Sequence, residues 1–319
     1  MKRQLQRWAG IGLMALAAPV LAQAWPDRPI RVVVPFPPGG PSDIVLRAAA
    51  DKMQPLLKQP IVLENRPGAG GNLGAAEVAR AAPDGYTWLW TPDTVVTVNR
   101  HVYKKLGFDA ENLVPVSVAS LFSQTLVCNR DAGVRTVAEL LEKARREKLS
   151  YASGGAGVPG HLAMELLLSS SGVQMLHIPY RGPGPATQDV IGGQVPCGFL
   201  AGPTVLPHVR SGRLAALAVS GARRSPVLPD VPTVAEAGVA GYDATFMLAL
   251  FAVKGTPPAV IETFHKALVT ALKDPEVVEA LKRTDQEPLG SSQAEARKIL
   301  ADTSNQWGQV ARRIHLSLD

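Results

Sequence analysis

Two stretches of the chain combine glycine, proline and a following helical pattern in a way that exposes backbone amides. In Pro35–Pro41 four of seven residues are proline and two are glycine, so no regular element can form there. Val32–Val34 before it is a β-branched run, and after it Val45, Ala48, Ala49, Met53 and Leu56 recur at helical spacing, with Ser42 or Asp43 in the capping position. The second stretch, Gly154–Gly160, follows Leu149–Ser153 and precedes a helix over His161–Ser169, in which Ala163, Leu166 and Leu167 give the apolar spacing. Each is strand, glycine loop, helix. The first N–H groups of a helix have no acceptor within it, so such a junction attracts an anion without a basic side chain. One glycine loop alone is equally well a sharp turn, since such turns need glycine whatever they do. Two of them favour a binding cleft.

The candidate ligand contacts on these loops are Phe36, Gly39, Gly40 and Ser42 on the first, and Ser153, Gly155, Gly157 and His161 on the second. Gly39 and Gly157 are expected to lack a β-carbon because the backbone must approach the ligand. Asp43 either caps its own helix or reaches a ligand through water or an amine. A third loop, Thr91-Pro92-Asp93-Thr94, ends a strand over Thr87–Trp90 and adds Thr91, Asp93 and Thr94. Arg181 caps the cleft rim or sits on a solvated surface.

Other chemistries fit less well. Gly155, Gly157 and Gly160 form a G-x-G-x-x-G run, but the acidic residue that a dinucleotide ribose requires about 20 positions on is missing. The region reads Met175–Arg181 without a carboxylate. The six histidines show no paired metal spacing, so neither a metal nor another cofactor is expected. No G-x-S-x-G elbow exists; a secreted hydrolase built from Ser153 and His161 is the rival reading from another class.

The elements that must carry these loops follow a β-α-β-α-β order: a strand over Pro26–Pro35, Ile61–Leu63, a helix Leu73–Ala82, then Thr87–Trp90. That order implies parallel strands flanked by helices, with ligands at the carboxyl ends of the strands. Val137–Lys148 reads as a helix, and Val173–Ile178, Val195–Leu200 and Leu214–Val219 as further strands. Val114–Cys128 and Ala244–Val253 are long extended runs suited to crossing between two domains, and Pro258–Leu272 and Ala294–Ile314 are amphipathic helices. Residues 1–24 read as a cleavable signal peptide: Lys2, Arg3 and Arg7, an apolar Ile11–Leu21, and Ala22-Gln23-Ala24. Losing those three cations lowers the formal charge from +6 to +3. No basic stripe remains for nucleic acid.

Beyond these patterns the chain resembles a known family. PFPPGG-x-x-D at Pro35–Asp43, ENRPGAGGN at Glu64–Asn72, PDGYT at Pro83–Thr87, GHL at Gly160–Leu162, PYRG at Pro179–Gly182, the long block Arg224–Gly238 and GTPP at Gly255–Pro258 are similar to the Bug receptors. These are the periplasmic solute-binding proteins of tripartite tricarboxylate transporters. The resemblance implies a two-lobe, type II-like periplasmic binding fold of the α/β class. Each lobe would be a mainly parallel sheet flanked by helices, with two interlobe crossings. The lobes would be residues 25–122 plus 248–319 and residues 123–247. It implies a monomeric receptor, not an enzyme, that holds a small carboxylate between the two glycine loops and hands it to transporter subunits in the membrane. A ligand sensor feeding a signalling partner is equally compatible. In a two-crossing fold the strand entering the second lobe lies beside that lobe's third strand, so Cys128 and Cys197 could form a disulfide. Leu200 stands where the family often has aspartate, and the second loop carries Val158 and Pro159 in place of hydroxyls, which tilts the expectation toward a ligand with an apolar body.

Overall fold

The computed structural model describes residues 25–313 and 316–318. The signal peptide read in residues 1–24, and Ile314 at the end of the last expected helix, lie outside them. Three β-α units in the first part of the chain set the plan. β1 (Ile30–Val34) leads through the first glycine loop into α1 (Pro41–Leu57), and β2 (Ile61–Asn65) through Gly68–Gly71 into α2 (Asn72–Ala79). β3 (Thr87–Pro92) runs into the short helices α3 (Thr94–Thr97) and α4 (Asn99–Val102). The fourth and longest strand, β4 (Leu113–Phe122), continues after Ser123 as β5 (Gln124–Asn129). The expected single extended run Val114–Cys128 is therefore two strands, broken at one residue, which belong to different sheets.

After α5 (Val137–Arg146) come β6 (Ser150–Ser153), the second glycine loop and α6 (Pro159–Ser171). Two further units repeat the device: β7 (Leu176–Pro179) with α7 (Pro183–Ile191), and β8 (Cys197–Ala201) with α8 (Gly202–Arg210). β9 (Leu214–Val219) precedes the return strand β10 (Phe246–Val253). α9 (Pro258–Ala271), α10 (Pro275–Arg283), β11 (Gln286–Pro288) and α11 (Gln293–Arg313) close the chain. β11 has no counterpart in the sequence reading, because a three-residue strand carries no periodicity, and the nine-residue α10 has none either.

The strands form two sheets, ordered β11-β4-β10-β3-β1-β2 and β7-β6-β8-β5-β9. Both are mixed. The β-α-β strands pair in parallel, β1 with β2 and β3, and β6 with β7 and β8. The strands that run between sheets join them antiparallel: β10 with β3 and β4, β5 with β8 and β9. Because both faces of each sheet are covered, the central strands are apolar almost throughout; all eight residues of β10 are buried. Trp88 on β3 stacks on Phe264 of α9 at 4.2 Å between centroids. α11 spans both halves. Ala296 and Leu300 pack with Val33 and Phe251 under the first sheet, while Trp307 and Ala311 join the Leu126 and Phe199 core of the second. Among the described residues no helix is long and apolar enough to cross a membrane.

Cys128 lies directly opposite Cys197 in the β5–β8 register, and Asn129 N–H donates to Pro196 O at 2.9 Å, so the cysteines occupy a non-hydrogen-bonded pair, where side chains approach most closely. Both are buried free thiols. The Cys197 thiol beside it, together with burial, pushes the Cys128 pKa up.

Candidate functional site

A cleft of about 240 Å³ opens between the carboxyl ends of the two sheets. One wall is the first glycine loop, Phe36–Ser42, with Pro92 beside it; the other is built from the starts of α6, α7 and α8. Phe122 and Gln124, on either side of the β4–β5 break, form its floor.

The first loop is tightly braced. Asp43 is 3 % exposed, and its carboxylate accepts from Gly39 N–H at 3.0 Å, Arg47 Nε at 2.9 Å and Asn65 Nδ2 at 3.2 Å. Burial alone would raise its pKa; those donors together hold it below the ordinary carboxylate range. Asn65 also donates to Phe36 O at 3.0 Å, and Trp90 Nε1 to Ser42 O at 2.9 Å. Asp43 thus serves its own loop and does not line the cleft. Gly40 is the N-cap of α1 without any side-chain cap, and Pro41 occupies the first turn. The Ser42 and Asp43 amides remain as the donors a helix start leaves unpaired. Gly39 has φ +79°, a conformation that favours glycine, with open space where a β-carbon would lie.

The second loop is organised from behind. Ser153 Oγ donates to Gly155 O at 2.9 Å and accepts from Gly155 N at 3.2 Å, and it lies 2.7 Å from His177 Nε2. Gly157 N donates to His161 Nδ1 at 3.1 Å, which places the His161 proton on Nε2, 3.9 Å from Glu165 Oε1. The rings of Tyr151, His177 and His161 stack, with centroids 4.9 and 4.0 Å apart. Burial, with His177 alongside, pushes His161 down to about 3, and burial pushes His177 down to about 4, so both imidazoles are neutral at physiological pH.

Four of the expected contacts, Ser153, Gly155, Gly157 and His161, therefore form the backing of the cleft and not its surface. Their polar groups are already spent on one another. Gly157 needs its missing β-carbon for a different reason from the expected one: such an atom would lie 2.8 Å from Leu318 Cδ1 and 3.3 Å from Asn99 Oδ1. The lining part of this loop is Gly154 and Val158–Gly160. Gly160 is required sterically, because a β-carbon would clash with the backbone Phe199 O on β8. The geometry also bears on the Ser153–His161 pair of the hydrolase reading. Ser153 is fully buried and meets His177, at 2.7 Å from Nε2, and not the His161 with which that reading paired it.

Thr91, Asp93 and Thr94 are wholly buried behind Pro92. Asp93 accepts from Met247 N at 2.9 Å and Thr97 Oγ1 at 3.0 Å, tying β3 to β10, and burial raises its pKa to about 6. Arg181 does reach the cleft: it is exposed, lies just before the α7 cap Gly182, and makes no ion pair among the described residues. Across the mouth the two walls meet, since a β-carbon on Gly182 (φ +107°) would lie 3.5 Å from Pro37 Cγ.

Sequence reasoning missed Phe122, Gln124, the Gly182–Pro185 turn, Phe199 and Thr204. The signal for two of these was present. Gly182-Pro183 and Gly202-Pro203 each open a helix directly after a strand, as Gly40-Pro41 does. The site offers several helix N-termini, one guanidinium without an ion pair among the described residues and an apolar interior, an arrangement suited to holding an anion with an apolar part.

The model of the tripartite tricarboxylate transporter family receptor matches residues 45–316. The chain is 37% identical over 306 residues to the protein BugT of Bordetella pertussis, covering 95% of this chain and 94% of that one. Among solved structures it is similar to R. palustris Rpa4515 with adipate, at 31% identity and TM-score 0.87, covering 92% and 99% of the two chains. It is also similar to MatC from Rhodopseudomonas palustris with bound malate, at 29% identity and TM-score 0.83, covering 90% and 99%.

Proposed function

From the premise that this chain belongs to the tripartite tricarboxylate transporter receptor family, and is thus a solute-binding receptor, we propose that its cleft takes a small carboxylate in the periplasm and delivers it, as a monomer, to a membrane transporter. One observation carries the ligand's charge: the cleft lining contains a single charged side chain, the cation Arg181, among helix N-termini, with every nearby carboxylate turned away. Hydrogen bonds to a charged group contribute about 1.5–3 kcal/mol each and a helix terminus about 0.3–2. Three or four such donors, less the costs of closure, reach the roughly −8 kcal/mol of micromolar binding. The adipate and malate in the related structures support the same class. The lobes of this reading are residues 25–122 plus 248–319 and residues 123–247.

A thermal-shift panel of mono-, di- and tricarboxylates against matched alcohols and amines tests the proposal. A ligand present at 100 times its Kd stabilises the folded state by about 2.7 kcal/mol. At least one carboxylate should raise the melting temperature by several degrees while its alcohol does not. A panel in which no carboxylate shifts the transition refutes the reading.

The same compartment is oxidising. Facing cysteines in a non-hydrogen-bonded antiparallel pair have Cα separations compatible with a disulfide. We expect a periplasmic disulfide oxidant to remove the two thiol hydrogens and join Cys128 to Cys197. Protein exported to the periplasm, denatured without reductant and treated with maleimide, should take up no label. Labelling of both thiols would overturn this.

A further inference from the structure

We propose that the ligand is a monocarboxylate with a compact, ring-sized apolar body, and not a di- or hydroxy-carboxylate; this rests on the carboxylate reading above and narrows it. The first argument is charge. Arg181 is the one ionic side chain on the lining, so a second carboxylate would be enclosed without a counter-cation. The second is the scarcity of hydrogen-bond partners. Seven lining residues are proline, which has no N–H, and Pro41, Pro159 and Pro183 sit in the first turns of α1, α6 and α7, where each removes a donor from a helix end. Of the polar side chains, Thr204 already donates to Ala201 O at 2.8 Å and accepts from Thr187 at 2.9 Å. Gln124 is held only by a long 3.4 Å contact to Ser123 O, which leaves its amide available beside Gly160. A ligand rich in hydroxyls would lose its hydration and find few side-chain partners in exchange, Ser42, Gln124 and Arg181.

The third argument is shape. Phe36, Phe122 and the β8 residues Phe199 and Leu200 line, from three separate elements, a space of about 240 Å³. Leu200 is 1 % exposed and Phe199 fully buried, so this wall is part of the core. The carboxylate then lies toward Arg181 and the helix starts, and the body fills the apolar interior, the division of labour usual in small-molecule pockets.

Isothermal titration of the mature protein with benzoate, cyclohexanecarboxylate, succinate, adipate, citrate and benzyl alcohol tests this. Benzoate or cyclohexanecarboxylate should bind at least tenfold tighter than succinate, adipate and citrate, and benzyl alcohol at least tenfold more weakly than benzoate. If a di- or tricarboxylate binds as tightly as either ring acid, the narrower inference falls and the carboxylate reading stands. If benzyl alcohol matches benzoate, or none of the five acids binds, the carboxylate reading itself falls.

Discussion

Changing Arg181 to glutamate should weaken carboxylate binding by about 10- to 100-fold, the equivalent of losing one charge-assisted hydrogen bond. The unliganded protein should melt within a degree or two of the parent. The two halves of that expectation have separate grounds. Affinity falls because Arg181 is the one charged side chain on the lining, and reversing its sign places a carboxylate opposite the ligand's own. Stability holds because the side chain is exposed and has no ion-pair partner among the described residues, the setting in which substitutions change stability by about 0.5 kcal/mol or less. Arg181→Lys separates charge from geometry, since it keeps the cation and loses the bidentate fork. Titration calorimetry beside a thermal melt reads both quantities. Unchanged affinity in Arg181→Glu would remove the guanidinium from the site and leave the helix ends to do the binding.

How far such a site can be read from residue order depends on whether its parts are local. The strand-loop-helix units were legible because proline, glycine and a change of hydrophobic period lie side by side, and Phe36–Ser42 does line the cleft. The cleft's opposite wall was only half legible. Ser153, Gly155, Gly157 and His161 occupy the right loop, but which of their amides are free depends on His177, 24 residues from Ser153 and one strand away. Nothing in a linear spacing reveals that stack. Phe122 and Gln124 were hidden for the opposite reason. They sit in an apolar extended run whose break at Ser123 lacks glycine or proline, so it looks like a single crossing strand. Asp93 shows a third kind of failure: its loop is at the expected strand end, yet the side chain turns inward to hold Met247 N.

The buried histidines give the second large expectation, a stability that declines as the medium turns acid from pH 7 to 4.5. The unfolded chain protonates His161 near its ordinary value of 6.5, whereas in the fold burial and His177 lower it to about 3. Between those values the unfolded state binds more protons, so stability rises with pH across the window and is lost as pH falls. At pH 4.5 the two pKa values bracket about two units, worth about 2–3 kcal/mol for a side chain only 4 % exposed. His177, lowered by burial to about 4, acts in the same direction with a smaller, solvent-screened contribution. Asp93 opposes them. Burial raises it to about 6 in the fold against an ordinary 3.8, so its folded form takes up a proton first and regains about 2 kcal/mol over the same interval. The two imidazoles outweigh the one carboxyl, leaving a net loss. In His161→Asn the amide oxygen stands in for Nδ1 as acceptor for Gly157 N–H, which keeps the loop braced and removes the titration. Urea unfolding at pH 7 and 4.5 should therefore show a loss about 2–3 kcal/mol smaller in His161→Asn than in the parent, while in Asp93→Asn the loss grows. An equal pH dependence in His161→Asn and the parent would mean that His161 is not the buried neutral acceptor on which the second loop rests.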